Sequence, residues 1–488
     1  MNTTSLTDGA AEEPGRRRFV RVAVGSGLAA MAGMRAAAAA GAPATAPAVA
    51  GIAEPGLPFH AWAPTPPMGW NSWDAFGASI TEAEYLDNAR ILAGRFLPFG
   101  YDIATVDIQW YEAGARSSWY RPFAPLVLDG HGRPQPAPNR FPSAAGGRGF
   151  APLAAEVHRL GLRFGVHLMR GIPRQAVGLE LPIAGSPWRC NEVADPGSTC
   201  AWNTDMCGVN PDHPGAFDWY RAWFTQLAEW GVDFVKVDDI AAPRYHAREV
   251  ELIRRAIDAT GRPIVLSLSP GPSQLDQAAH LQAHANQWRV CNDFWDTWPQ
   301  LRDNLVNLVK WAAFARPGAW PDADMLPVGR IGLRNFDGDG HGERDTRFTR
   351  DEQVLMLTAW CCARSPLILG NDLRRLDDRT LRLVTNPEVL ALLRVPGTRE
   401  WHSAPQGHRF VCSSPQGTWA AWLNIGDAPW SAQLPAWLPD AHRDCWARND
   451  LPPHTRELTV PPHGARLVRC GPPPSLAVSS PFPPHRLR

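Results

Sequence analysis

"DFVKVDD", residues 233–239, is bounded by Gly231 and Pro243 and reads as a β-strand with an unusual face. Side chains alternate along a strand, so Phe234, Lys236 and Asp238 share one face and Val235 and Val237 the other. The neighbouring pattern predicts burial of both faces, so a cation and a carboxylate on one of them need a reason. The cation is unusual in composition as well. Of 48 Lys plus Arg in the 488-residue chain, only Lys236 and Lys310 are lysines.

Working outward, "GAFDWYRAWFTQLAEWG" (215–231) places Trp219, Tyr220, Trp223, Phe224, Leu227 and Trp230 at helical spacing. "AREVELIRRAIDATG" (247–261) is a second amphipathic helix, stopped by Gly261 and Pro263, and "PIVLSLS" (263–269) is the next strand. Upstream, "TEAEYLDNARILAGRF", "YDIATVDI", "GFAPLAAEVHRLG" and "LRFGVHL" repeat helix, strand, helix, strand. Downstream come a strand, "WRVCNDF", and "TRDEQVLMLTAWCCARSPLILG", whose Thr349 and Glu352 form a capping box. Such alternation implies a parallel sheet. The expected fold is a (β/α)8 TIM barrel over residues 63–395, with a doubly wound sheet as the alternative. After residue 395 the helical pattern stops. Short alternating runs such as "GTWAAWLNI" and "GARLVRC", set among Pro and Gly, predict a C-terminal antiparallel β-sandwich over 396–474 and a tail from 475 to 488.

The formal net charge is zero, so no basic face argues for nucleic acid. "GRRRFVRVAVGSGLAAMAGMRAAAAA" carries an Arg run, a short apolar stretch and small residues, as an export signal does; Arg16, Arg17 and Phe19 resemble a twin-arginine signal. We expect a signal peptide over 1–40, a linker over 41–62, and an exported protein with no membrane association afterwards. Oligomeric state is not legible. The 22 Trp tilt the composition toward a carbohydrate site. Among nine cysteines, the spacing of Cys190, Cys200 and Cys207 suggests a local disulfide, while Cys361 and Cys362 lie in an apolar helix as core thiols. No cofactor motif and no zinc spacing is present. "DGDGHGERD" (337–345) resembles a calcium loop but has Phe348 where the twelfth-position Glu belongs, so no metal is expected.

Catalytic groups of a barrel sit at the C-terminal ends of its strands. Asp107 ends "YDIATVDI", Asp238 ends its strand, and Asp293 lies at the end of "WRVCND", four residues after Arg289 on the same face. Two carboxylates across a pocket suit glycoside hydrolysis: one attacks the anomeric carbon, the other protonates the leaving oxygen. Lys236 favours ionised Asp238, which makes Asp238 the nucleophile and Asp293 the acid/base. A Lys also offers sugar hydroxyls a compact ammonium where Arg would present a broad fork.

"TPPMGWNSWDAF" (65–76), "KVD" (236–238), "WRVCNDFWDTW" (288–298), "WPDADML" (320–326) and "LILGNDL" (367–373) together resemble glycoside hydrolase family 27, the α-galactosidase and α-N-acetylgalactosaminidase family. The resemblance spans roughly residues 64–475. It implies a retaining exo-glycosidase, an α-galactosidase in the first instance, acting on an oligosaccharide or polysaccharide, with Asp238 at the nucleophile's position and Asp293 at the acid/base's. Trp73, Asp107, Lys236 and Arg289 match sugar-contacting positions. Three positions depart from the usual pattern. Ile108 stands where the family commonly has a second Asp, which favours a sugar without the 6-hydroxyl, as in the family's β-L-arabinopyranosidases. His167 stands where Tyr is usual. Ser269 stands where α-galactosidases carry Glu and α-N-acetylgalactosaminidases carry Ser. A barrel that binds sugar without catalysis, or an exported oxidoreductase, is the reading from another class. Both Asp238 and Asp293 argue against the first, and the absence of a dinucleotide fingerprint against the second.

Overall fold

A computed structural model describes residues 56–336, 341–436, 438 and 442–471. The expected signal peptide, most of the expected linker, the expected C-terminal tail and the first part of the acidic loop at 337–345 lie outside the described residues.

Eight parallel strands form the barrel: β1 Met68–Asn71, β2 Ile103–Val106, β3 Arg163–Met169, β4 Phe234–Asp238, β5 Val265–Leu268, β6 Gln287–Arg289, β7 Trp320–Asp322 and β8 Leu367–Leu369. They pair in the order β7-β6-β5-β4-β3-β2-β1-β8. Closure between β7 and β8 rests on a parallel bridge from Leu326 to Leu369 and on the Leu326 amide, which donates to Ile368 O at 2.8 Å. The doubly wound alternative is thereby excluded.

Why "DFVKVDD" carries charges is visible in the pairing. His167 of β3 lies opposite Lys236, and Met169 opposite Asp238. Phe234 and Lys236 face the barrel lumen together with Thr105, Ser267 and Gln287. Val235 and Val237 join the large apolar cluster with the buried aromatic face of helix Ala216–Glu229. Helix Arg350–Ala363 starts on the expected capping box: the Thr349 amide donates to Glu352 Oε2 at 2.7 Å, and the Glu352 amide to Thr349 Oγ1 at 3.2 Å. Residues Pro58–Trp62, inside the stretch expected to be linker, form a short helical turn with Phe59 buried. The Arg254 guanidinium lies 4.6 Å from the Phe59 ring, and Trp320 Nε1 donates to Ala63 O at 2.8 Å, so this turn packs against the barrel.

Beyond the barrel, antiparallel strands from Thr398 to Cys470 form a six-stranded sheet, and Trp430–Gln433 pairs with Glu457–Val460 in a second, two-stranded sheet. Trp422, Leu434, Leu458 and Val468 fill the space between the two, as a sandwich requires. Trp298 of the barrel stacks on His463 at 3.6 Å, and Trp446 Nε1 donates to Thr358 Oγ1 at 2.9 Å, so the second domain is docked on the first.

The disulfide expected among Cys190, Cys200 and Cys207 is not formed; all nine cysteines are buried thiols. Cys207 pairs in register with Thr199, one residue before Cys200, and successive side chains point to opposite faces. The Cys200 thiol instead donates to the Asp239 carboxylate. Strands Ile172–Pro173, Ala194–Thr199 and Met206–Val209, which carry this pairing, form a small side sheet between β3 and β4.

Candidate active site

The charged strand face and the ends of its neighbours converge at the carboxyl end of the barrel. Asp107, the residue after β2, accepts from Asn71 Nδ2 at 2.7 Å and from Lys236 Nζ at 3.0 Å. Asp238, the last residue of β4, accepts from His167 Nε2 at 3.1 Å through Oδ2 and from the Asp239 amide at 2.9 Å through Oδ1. Arg289, the last residue of β6, pairs with Asp324 at 2.8 Å and reaches Asp293 at 3.3 Å. Lys236, Ser269, Arg289 and Asp324 line one cavity together with Asn71 and Met325. Trp73 opens a short helix after β1 and stacks on Tyr120, with ring centroids 6.2 Å apart and planes inclined by 20°.

One expectation about local structure is corrected. Asp293 does not lie on the strand face of Arg289. β6 stops at Arg289, and Asp293 sits in the following loop, 47% exposed in its side chain, where the long Arg289 side chain reaches it. Ile108 is buried directly after Asp107, whose carboxylate accepts the Ile108 amide hydrogen. The cavity wall formed by Ser269 does not extend to Ile108.

The electrostatics separate the carboxyl groups. Burial alone would raise Asp238; the His167 hydrogen bond and ring, the Lys236 ammonium and the Asp239 amide outweigh it and bring it down to about 2. Asp107 is likewise lowered, because Lys236 and His167 overcome its burial. Lys236 is raised despite burial, held charged by Asp107 and Asp238. The opposite happens across the mouth. Burial pushes Asp322 up to about 7 and raises Asp324, even beside Arg289. Asp74, buried and next to Asp324, is raised well above the usual carboxyl range. An ionised carboxylate beside a fixed ammonium, an exposed carboxyl held by an arginine, and carboxyls raised by burial around them suit substitution at a sugar's anomeric carbon.

Asn71, Asp74, Asp322 and Asp324 were not singled out from sequence, although "NSWD" and "WPDADML" contain them. In those motifs the functional atoms belong to residues on or just past strands of four and three residues, too short to show an alternating face. Among the described residues no His, Cys, Asp or Glu cluster could hold a metal ion, and no helix is long and apolar enough to cross a membrane.

Residues 197–394 match the family model described as Alpha galactosidase A. Alpha-galactosidase 3 of Arabidopsis thaliana is 27% identical, the match covering 80% of this chain and 77% of the plant protein. An alpha-N-acetylgalactosaminidase of Gallus gallus is 26% identical over 68% of this chain and 71% of its own length. The crystal structure of a GH27 β-L-arabinopyranosidase from Geobacillus stearothermophilus, solved in complex with arabinose, superposes with a TM-score of 0.83 at 46% identity, covering 85% of this chain and 99% of that one. With close to half of its residues shared with a solved family member along nearly that protein's whole length, and with its barrel, β domain and strand-end carboxyl groups in place, the chain is a glycoside hydrolase and belongs to glycoside hydrolase family 27.

Proposed function

We propose that the enzyme is a retaining exo-glycosidase that cleaves terminal β-L-arabinopyranosides, with Asp238 as nucleophile and Asp293 as acid/base. Asp238 attacks the anomeric carbon and forms a glycosyl ester as the glycosidic bond breaks, while Asp293 gives its proton to the leaving oxygen. Water then attacks the same carbon, Asp293 takes the water's proton, and Asp238 leaves as the carboxylate. The low pKa of Asp238, about 2, supports its role because it is ionised throughout the neutral range. The exposure of Asp293 supports the other role, since the leaving group and the water both come from the solvent side. Lys236, Asp107, Arg289 and Trp73 supply the donors, acceptors and flat face that hold the sugar, and His167 holds the nucleophile.

The observation that carries the choice of sugar is Ile108, an apolar and fully buried residue directly after Asp107. β-L-Arabinopyranose has the ring configuration of α-D-galactopyranose without its hydroxymethyl group. One scaffold therefore serves both sugars, and the residue facing C5 selects between them. A second carboxylate after Asp107 offers the 6-hydroxyl an acceptor; Ile, buried behind Asp107, offers none. The Geobacillus enzyme, named for arabinopyranosides, supports the same choice. α-Galactoside hydrolysis, the first expectation from the family at large, is the second reading, supported by the shared ring configuration and by the Arabidopsis relative. Measuring kcat/KM without added cofactor on p-nitrophenyl β-L-arabinopyranoside, α-D-galactopyranoside and N-acetyl-α-D-galactosaminide tests the proposal. The first is expected to be highest; a higher value on the galactoside rejects the assignment. The Arg run and apolar stretch before residue 40 support export by the twin-arginine route, which a reporter fused to residues 1–45 checks by its secretion.

A further inference from the structure

Asp239, the residue after the strand-end carboxylate, has a backbone φ of 58°. This is the left-handed region, which a residue with a Cβ enters at a cost and which concentrates at functional sites. The turn aims the Asp239 amide at Asp238 Oδ1, 2.9 Å away. Besides the Cys200 thiol on the Asp239 carboxylate, Arg170 holds that turn. The Arg170 backbone amide donates to Asp238 O at 3.1 Å, its Nε donates to Asp239 O at 2.6 Å, and its Nη2 pairs with Asp239 Oδ2 at 3.1 Å. Its remaining nitrogen, Nη1, binds Glu249 Oε1 at 3.1 Å, and Glu249 is fixed in turn by Tyr220 Oη at 2.6 Å. Arg170, Asp239 and Glu249 are all buried. None of them lines the sugar cavity.

A buried guanidinium with its donors spent on one dipeptide and one anchoring carboxylate is more than helix-to-strand packing needs. Lysine could neutralise Asp239 but not bind its carbonyl and carboxylate together from a planar fork. We propose that Arg170 and Asp239 are positioning residues: Arg170 clamps the peptide after Asp238 in its left-handed turn, and that turn orients the attacking carboxylate. The inference rests on Asp238 being the nucleophile. The groups facing Asp238 are His167 from β3, Lys236 from its own strand, Asp239 beside it and the Cys200 thiol from the side sheet. Of these, only the Asp239 amide reaches Oδ1.

Four variants, assayed in the full-length enzyme on the faster of the arabinopyranoside and the galactoside, test the clamp. Asp239→Val keeps the size but cannot rest at positive φ; Asp239→Gly adopts it freely and keeps both the amide and the carbonyl. Asp239→Val is expected to lose on the order of a hundredfold in kcat with little change in KM, the size of effect that a small misplacement of a reacting group produces. Asp239→Gly is expected to lose only a few-fold. Arg170→Gln is expected to follow Asp239→Val. In both damaged variants the acid limb of kcat/KM moves to higher pH by on the order of one unit, because one hydrogen bond to the ionised carboxylate is gone. Equal losses in Asp239→Val and Asp239→Gly, or an unmoved acid limb in Asp239→Val, overturn the clamp; if Arg170→Gln does not fold, that pair still decides. Asp238→Asn separates the two ideas. Should it turn over substrate normally, the nucleophile assignment fails and the clamp with it. Should it be inactive while Asp239→Val is normal, only the clamp fails.

Discussion

Replacing Ile108 by Asp puts the assignment of the sugar to its sharpest test. The side chain is 1% exposed, so losing its apolar contacts removes about 2–3 kcal/mol of burial. The incoming carboxyl lands one residue from Asp107, whose own charge is already shared with Lys236 at 3.0 Å and Asn71 at 2.7 Å. No second ammonium is available, since Lys310, the other lysine, is exposed on the distant helix Trp298–Trp311. Burial and a like charge therefore raise the new carboxyl, and the variant melts several degrees lower. Against this stands one gained hydrogen bond to the 6-hydroxyl of galactose, made only by that sugar. A bond to a charged or partly charged group is worth about 1.5–3 kcal/mol, so kcat/KM for α-galactoside over β-L-arabinopyranoside rises roughly ten- to a hundredfold. The assay is the ratio of kcat/KM on the two p-nitrophenyl glycosides, for wild type and variant, with melting followed in parallel. A ratio that moves less than about twofold while the melting temperature drops, below what one such contact gives, refutes the reasoning. Ile108 would then be an ordinary core residue, and the preference for arabinopyranosides would lose its carrying observation.

The remaining predictions concern roles and pH. Asp238→Asn abolishes turnover, whereas Asp293→Ala is crippled but partly restored by azide, which attacks the glycosyl ester that Asp238 still forms and gives a glycosyl azide of retained configuration; azide rescue of the Asp238 variant with a retained product would exchange the two roles. Sugar released from a β-L-arabinopyranoside appears first as the β-anomer by NMR, and early α-anomer rejects the double displacement. Ser269→Glu places a carboxylate on the cavity wall and lowers any activity on N-acetyl-α-galactosaminides by roughly tenfold or more, leaving arabinopyranoside turnover less affected; an unchanged ratio means that Ser269 does not face the sugar. Asp322, raised to about 7 by burial, favours the folded state fully below the ordinary carboxyl pKa, and that contribution is lost as pH rises to about 7. Asp238, lowered to about 2, contributes in the opposite sense and is lost only below pH 4, outside this window. The stabilising effect of Asp322→Asn on Tm is therefore larger at pH 8 than at pH 5, and a constant difference across that range shows Asp322 to be ionised throughout.

The frame of this site was legible because its signals are periodic. Alternation along "DFVKVDD" put Lys236 and Asp238 on the lumen face, and helical spacing around it implied the barrel; both follow from local geometry. The capping box at Thr349 and Glu352 was legible for the same reason. Asp74, Asp322 and Asp324 escaped because their importance comes from burial against residues far along the chain. Asp324, for instance, meets Arg289 across two strands. Asp293 was placed on a strand that ends four residues earlier, since chain direction after Arg289 depends on loop packing rather than on pattern. The cysteine spacing misled because proximity in sequence says nothing of which face each thiol takes once Thr199 and Cys207 are in register.

The scarcity of lysine has a practical side. Reagents that acylate or reductively methylate amines attack only the uncharged form, and they meet two lysine side chains here: Lys310, on the surface, and Lys236, 15% exposed and held charged by Asp107 and Asp238. The ion pairs that fix Lys236 also shield it from such reagents. Amine-directed labelling or immobilisation of the wild-type enzyme through its lysine side chains therefore falls on Lys310 and spares the barrel mouth. Modification of Lys236 would in turn signal that its ion pairs had opened.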